Sequence, residues 1–484
     1  MDVVLSLLSS TLWFLVALTI LVFVHELGHF LTAKYFGMRV ERFSIGFPPT
    51  LFGRTHGETE YAIGATPLGG YVKISGMIDE SLDTDHVESE PDPWEFRAQP
   101  VWQRIIVISA GVVFNAFLAI LIFGGVRWSE GDTYIPAQNV EQVYVEEGSV
   151  AYNVGLRTGD QIVKVNGEAF KRFDQMTPSS LIAADSLTVT VVREGNRKTL
   201  VGPPNIISRL SRARDREQSS RYLPGLGFQP PFIGGVVKGT PADSAGLQTG
   251  DRIIKISGDT VRFWKEMSTM LQKAKGAPVT VRWFRSDSLA GARSDLGVST
   301  LVRTTEDGRV LSAKIAAEYN EKRDKYLLGV RSPGASPVTQ RILFEKFGVR
   351  TQSYSPVEAL QAGVNETWTY ARTIVVTLKR IATGRDSLTD SLGGPVMIAK
   401  VTSQAASAGL IPYFKLIAAL SITLAIMNIL PIPALDGGQL LFLLYEAITR
   451  RRPSVRVRLV AQQVGMILLI GFMAFIIFND IMRL

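Results

Sequence analysis

Four stretches of the chain are apolar enough and long enough to cross a bilayer as helices, at residues 1–34, 104–127, 412–446 and 459–480. Between them the pattern of apolar and polar positions predicts other elements. Residues 59–64 and 70–74 are short β-prone runs on either side of Ala65-Thr66-Pro67-Leu68-Gly69, which predicts a hairpin within 35–103. Its edge would be open to an unwound substrate strand, or it is an ordinary connection. Residues 79–95 are rich in Asp, Glu, Ser and Pro and read as an exposed loop, with His86 solvated in it. Over 355–385, Val357, Leu360, Val364, Trp368, Ala371, Val375 and Leu378 recur every three or four positions. That period predicts an amphipathic helix, lying on the outer membrane surface or packed on the domain at 223–332.

Between the second and third spans the sequence repeats itself. The run from Ala151 to Ile162 returns 91 residues later from Ala242 to Ile253, and Lys164 and Gly167 return as Lys255 and Gly258. A duplication of this size predicts two copies of one small domain, at 128–222 and 223–332. Each copy reads as a short helix, a glycine-bearing turn and a strand ending at Asn166-Gly167 or Ser257-Gly258. The A-G-L-x-x-G-D-x-I pattern resembles PDZ domains. Gly225, Leu226, Gly227 and Phe228 are similar to the PDZ loop whose backbone N–H groups hold a peptide carboxylate, so peptide C-termini are expected ligands. That loop precedes the second copy and has no counterpart before the first, which would then bind peptide weakly or act as a spacer. The alternative is a pair of packing modules without a ligand. Residues 286–324 enlarge the second copy without a readable motif.

Composition narrows the chemistry. The 484 residues include no cysteine, which excludes disulfides, thiolate ligands and a Cys nucleophile. Only four histidines are present, and His56 and His86 sit in polar, irregular sequence, so a third metal ligand is expected to be a carboxylate. The net charge of +8 comes from arginines that are scattered or beside membrane segments, which points to membrane-surface charge and no nucleic-acid partner. The loop at 447–458 carries five arginines and no acidic residue from 450 to 458, and is expected to be cytoplasmic. Counting back, 35–103 is cytoplasmic, while both termini and residues 128–332 lie outside. No basic n-region precedes the first apolar run, so it reads as a retained helix.

The candidate chemistry begins at His25-Glu26-Leu27-Gly28-His29, inside the first span. A spacing of four puts both imidazoles on one helix face, within reach of one metal ion. Glu26 lies about 100° round the helix, where a carboxylate can hold a metal-bound water without being a ligand. Ionisable groups in a bilayer-length helix are costly and mark function. A second cluster lies in Asn428-Ile429-Leu430-Pro431-Ile432-Pro433-Ala434-Leu435-Asp436-Gly437-Gly438. Two prolines so close must break the span, and Asp436 is the only acidic residue between 413 and 445. It either completes a zinc site with His25 and His29 or caps the helix that follows.

H-E-L-G-H in the first span, N-I-L-P-I-P-A-L-D-G in the third and a PDZ-like tandem between the second and third together resemble the bacterial site-2 proteases of the RseP type. The resemblance reaches from the first span to about residue 446. It implies a membrane α-helical fold with about four spans, a membrane-associated β-hairpin and two inserted α+β PDZ domains. It implies one zinc ion on His25, His29 and Asp436, with Glu26 as catalytic base. Asn428, Pro431, Tyr71 and Val72 are the implied substrate contacts. The expected activity is hydrolysis within or near membrane spans of single-span proteins, such as anti-sigma factors already trimmed by a site-1-type protease, or remnant signal peptides. The expected place is a bacterial inner membrane, with the site opening to the cytoplasm. One departure is Gly111-Val112-Val113-Phe114-Asn115, which lacks the proline often following that glycine in the family. Two rivals are a metal or proton transporter, and a membrane-anchored PDZ scaffold without catalysis.

Overall fold

A computed structural model describes residues 2–77, 90–177, 181, 187–206, 209–210, 222–287, 298–321, 324–333, 337–391 and 393–482. They form two compact units, one made of the chain up to Gly131 and from Ser353 onward, the other of Asp132–Gln352. His86 and most of its loop lie outside the described residues.

Among the described residues of the first unit, four helices have the length and apolarity to cross a membrane: Thr11–Tyr35, Val101–Glu130, Leu410–Ile429 and Val455–Met482. The first two cross with their backbones in contact. A Cβ on Gly28 would lie 2.5 Å from the Ala110 carbonyl oxygen, so only glycine permits this approach. The second helix continues unbroken through Gly111. The third ends at Ile429, and helix resumes at Asp436–Thr449, because Pro431 and Pro433 cannot continue the hydrogen-bond ladder. Gly437, Gly438 and Gly465 admit the broken segment's backbone, with Cβ positions 2.0–2.5 Å from the carbonyl oxygens of Leu430, Ile432 and Pro433. The Asp436–Thr449 helix is pinned at its far end by a buried bidentate pair, Arg104 to Glu446 at 2.7 and 3.0 Å.

The strands β1 (Val40–His56) and β2 (Thr59–Ile74) are each bent, so the pair folds into four short segments. Their order across the sheet is 50–56, 59–64, 40–47 and 70–74. The expected hairpin between 59–64 and 70–74 is therefore not formed. Residues 42–45 lie between them, pairing Phe43 with both Tyr61 and Val72. The segment carrying buried Val40 and Phe43 takes the central place, while 70–74 becomes an edge with one partner among the described residues. The sheet's apolar face, with Val40, Phe43, Val72 and Ile74, packs with Ala33, Val107 and Leu443 from the helices.

The helix Pro356–Ala382 forms where the 3.6-residue period predicts it, opened by a Ser355–Glu358 capping box. The face it buries is not its apolar stripe. The face against the protein is made of Ala359, Gly363 and Thr367, with Tyr370 stacked on Phe123 at 5.2 Å and Glu366 paired with Arg127 at 3.0 Å. The helix lies along the second span, and Val357, Leu360, Val364, Trp368 and Val375 are exposed. Small residues permit close helix approach, so the apolar stripe is left on the outside.

In the second unit, the two copies share one plan. A sheet of four segments, ordered 168–169, 161–165, 188–193, 196–201, corresponds to one ordered 259–260, 252–256, 279–286, 308–315 and 300–305. The enlargement at 286–324 adds the extra edge strand Thr300–Thr305. Buried ion pairs repeat as well. Asp160 meets Arg193 at 2.7 Å while Arg193 donates to the Gly155 carbonyl, and Asp251 meets Arg285 while Arg285 donates to the Gly246 carbonyl. The boundary at 222/223 is displaced. Gly225–Phe228 closes the first copy: Leu226–Gly227 pairs with Tyr144–Val145, and Leu226 and Phe228 are buried in the first core. The second copy has the same closure at Gly329–Arg331, where Val330 pairs with Val236. Gly225 and Gly329 both have φ +84°. The chain enters and leaves this unit through one antiparallel pair, Asp132–Tyr134 with Arg350–Gln352.

Candidate metal centre

His25 and His29 sit one turn apart on the first span, mostly buried, with Nε2 atoms 3.2 Å apart. The break in the third span brings Asp436 to them. Its Oδ2 lies 3.1 Å from His25 Nε2 and 3.6 Å from His29 Nε2. Among the described residues this is the one group of three such side chains close enough to share an ion. Asp436 is the first residue of its helix and Leu435 is the N-cap, with no side-chain capping bond. The carboxylate is therefore spent on the histidines, not on the helix end.

The donor set fits zinc. Tetrahedral ligands at about 2.0–2.2 Å from the ion lie roughly 3.3 Å from one another, and the three separations here bracket that value. Asp436 Oδ2 is buried without a hydrogen-bond donor, an arrangement that is costly unless a cation meets it. Both imidazoles turn Nε2 inward. His29 Nδ1 faces the Val107 carbonyl oxygen at 2.8 Å, an outer hydrogen bond that fixes the ring and its tautomer. Asn115 Nδ2 lies 3.3 Å from His25 Nδ1.

The histidines open on a cleft of about 970 Å³ lined by Glu26, Asn428, Leu435, Met466 and the sheet edge from Gly69 to Ile74. Glu26 is half-buried, with the Val72 backbone N–H beside its carboxylate. Asn428 brings its amide nitrogen to 3.1 Å from His25 Nε2. Tyr71 lines the cleft with its ring stacked on Phe47 at 6.2 Å. Val72 has its side chain in the core, so what it offers the cleft is backbone. Pro431 is exposed and lies outside the cleft lining; its part is to break the helix. Residues 225–228 belong to the other unit.

Sequence reading noted Gly111 only for the proline missing after it, and missed its closeness to the two imidazoles. A Cβ there would fall 2.5 Å from His29 Nε2 and 2.6 Å from His25 Cε1. Its spacing of four from Asn115, the most polar residue of the span, was the available signal. It also missed Gln439, which lines the cleft one turn beyond Asp436.

Residues 13–472 match the family model described as peptidase family M50. Full-length relatives agree. A Vibrio cholerae protein named as a candidate zinc metalloprotease is 32% identical, with 99% of this chain and 100% of the relative aligned. The regulator of sigma-E protease RseP of Escherichia coli K12 is 31% identical, over 98% of this chain and 100% of the relative. Protease RseP of Yersinia pestis is 30% identical, over 99% and 100%.

Proposed function

The chain belongs to peptidase family M50, a membrane-embedded zinc metalloprotease of the site-2 type, and we propose that its zinc is held by His25, His29 and Asp436 with Glu26 as general base. The observation that carries this reading is the convergence of Asp436 on two imidazoles, beside a carboxylate and an open strand edge in one cleft.

When bound there, zinc supplies Lewis acidity that makes water a competent nucleophile near neutral pH and polarises the scissile carbonyl. Glu26 accepts the proton from the attacking water and returns it to the leaving amine. The Asn428 amide is placed to donate to the developing oxyanion. A substrate span has its amides bonded internally and must unwind before a peptide bond can react. The edge strand 70–74, which has one strand partner among the described residues, lies where an unwound segment could join it as an added strand, and the pairing would draw the chain past Glu26.

The substrates we propose are single-span membrane proteins, such as anti-sigma factors after a first external cleavage by a site-1-type protease, with remnant signal peptides a further class. The arginines of 450–458 support a cytoplasmic position for that loop, and we read the site as opening to the cytoplasm from an inner membrane. The Asp132–Gln352 unit then lies outside as two PDZ-like domains. Its closures at Gly225 and Gly329 give each copy a loop of the kind that takes a peptide C-terminus, so the first copy need not be a mere spacer.

Glu26→Gln is the direct test. It should keep one zinc per chain and lose cleavage of a model single-span substrate by about 100-fold or more, and in cells it should accumulate uncleaved substrates that can be identified by crosslinking. Cleavage at the wild-type rate would remove Glu26 from the role of base.

A further inference from the structure

The outer side of His25 points to a residue in the second span. A histidine that gives Nε2 to zinc is neutral and carries its proton on Nδ1, and that N–H needs an acceptor. His29 has one in the Val107 carbonyl. His25 Nδ1 instead meets the amide nitrogen of Asn115, a donor against a donor once Nδ1 is protonated. On the same side chain, Oδ1 is buried without any hydrogen-bond partner. Asn115 is 0% exposed, and its backbone is tied to the third span, its carbonyl oxygen accepting from Ser421 Oγ at 2.8 Å. The two ends of an amide have the same shape, and the hydrogen-bond network decides between them. Turning the amide over satisfies both orphaned groups at once, with His25 Nδ1–H donating to Asn115 Oδ1.

We propose that Asn115 is a positioning residue for the metal centre, its amide oxygen holding His25 in the tautomer and ring orientation that present Nε2 to zinc. This rests on the zinc site proposed above and adds to it the second span's own contribution, through Asn115 and, one turn earlier, Gly111. It explains a fully buried polar side chain in an otherwise apolar helix face.

The test is zinc affinity, measured on the purified full chain in detergent by competition with a chromogenic chelator. Asn115→Leu matches the size but lacks the acceptor, and should weaken zinc binding by about 10–100-fold. Asn115→Asp restores an acceptor oxygen and should bind zinc close to wild type; a residue that merely fills space would not show this rescue. Metal-free thermal melting of each variant separates folding from binding, and Asn115→Ala replaces the leucine variant if that one fails to fold. Leucine or alanine binding as tightly as wild type, or aspartate as weakly as leucine, overturns the proposal. Failure of the zinc site itself would look different, with wild type binding no zinc or His25→Ala keeping it.

Discussion

Gly111→Ala isolates the site from the fold. In a helix interior this exchange ordinarily stabilises by about 0.8–1 kcal/mol, and Gly111 lies within an unbroken helix. The added methyl, however, meets both metal-facing rings. Its carbon would sit 2.5 Å from His29 Nε2, 2.6 Å from His25 Cε1 and 2.8 Å from His25 Nδ1. An ordinary contact begins at 3.4 Å, so one or both rings must retreat by about 0.9 Å. Neither is free to do so, since His29 is held at Val107 and His25 between Asn115 and Asp436. The second span cannot back away alone, because it touches the first at Gly28 and Ala110 and carries the Val107 carbonyl. Metal sites tolerate about 0.5 Å of displacement, and an error of about 1 Å costs on the order of 100-fold in rate. Gly111→Ala should therefore lose most of its zinc in elemental analysis and cleave a model single-span substrate about 100-fold more slowly. Its helical circular dichroism should be retained and its metal-free stability lowered by no more than about 1–3 kcal/mol, the usual cost of one added methyl in a filled interior, so that loss of zinc exceeds any loss of fold. A variant that holds one zinc and cleaves like wild type would show that the rings have room the geometry denies them.

Three other perturbations have defined outcomes. Arg104→Met strips the buried Glu446 of its bidentate partner and leaves it only Arg452, at 3.0 Å; thermal or denaturant unfolding should show a loss of about 1–3 kcal/mol, largely recovered in Arg104→Met/Glu446→Leu. Gly329→Ala combines a left-handed backbone, worth roughly 1–2 kcal/mol, with a Cβ 2.1 Å from Thr240 Oγ1, whereas Gly239 at φ +75° has open space around it. Limited proteolysis should cut the second copy faster in Gly329→Ala than in Gly239→Ala, and equal rates would count against the Gly329 closure. If the Asp132–Gln352 unit is what keeps untrimmed substrates from the site, replacing 133–351 by a short glycine linker, which joins positions already paired across one strand ladder, should give a product that binds zinc and cleaves untrimmed substrate; persistent resistance of that substrate would remove the unit from that role.

Sequence alone carried the membrane spans, the tandem repeat and the chemistry of the centre, because each is written locally. Apolar length marks a span, an i, i+4 spacing puts His25 and His29 on one face, and a pair of prolines ends a helix wherever it occurs. The 91-residue repeat needs no three-dimensional knowledge. What required the folded chain was every relation between distant segments. Strand order in the sheet was misread because β propensity says which residues extend, not which neighbour they choose; residues 42–45 took the place between 59–64 and 70–74 and left the latter as an edge beside Glu26. The periodic stripe of Pro356–Ala382 gave the helix but not the face it buries, since close helix packing selects Ala359 and Gly363 over bulky Val and Leu. The loop at Gly225 was assigned to the wrong copy because strand pairing, not chain order, decides which core a segment completes. Asp436 reads from sequence as either cap or ligand, and only the broken helix brings its carboxylate 3.1 Å from an imidazole 411 positions earlier in the chain, the contact on which the proposed zinc site rests. Short-range preferences are fixed residue by residue, whereas the meeting of remote groups depends on how whole helices pack, and the functional centre of this protein is made of such a meeting.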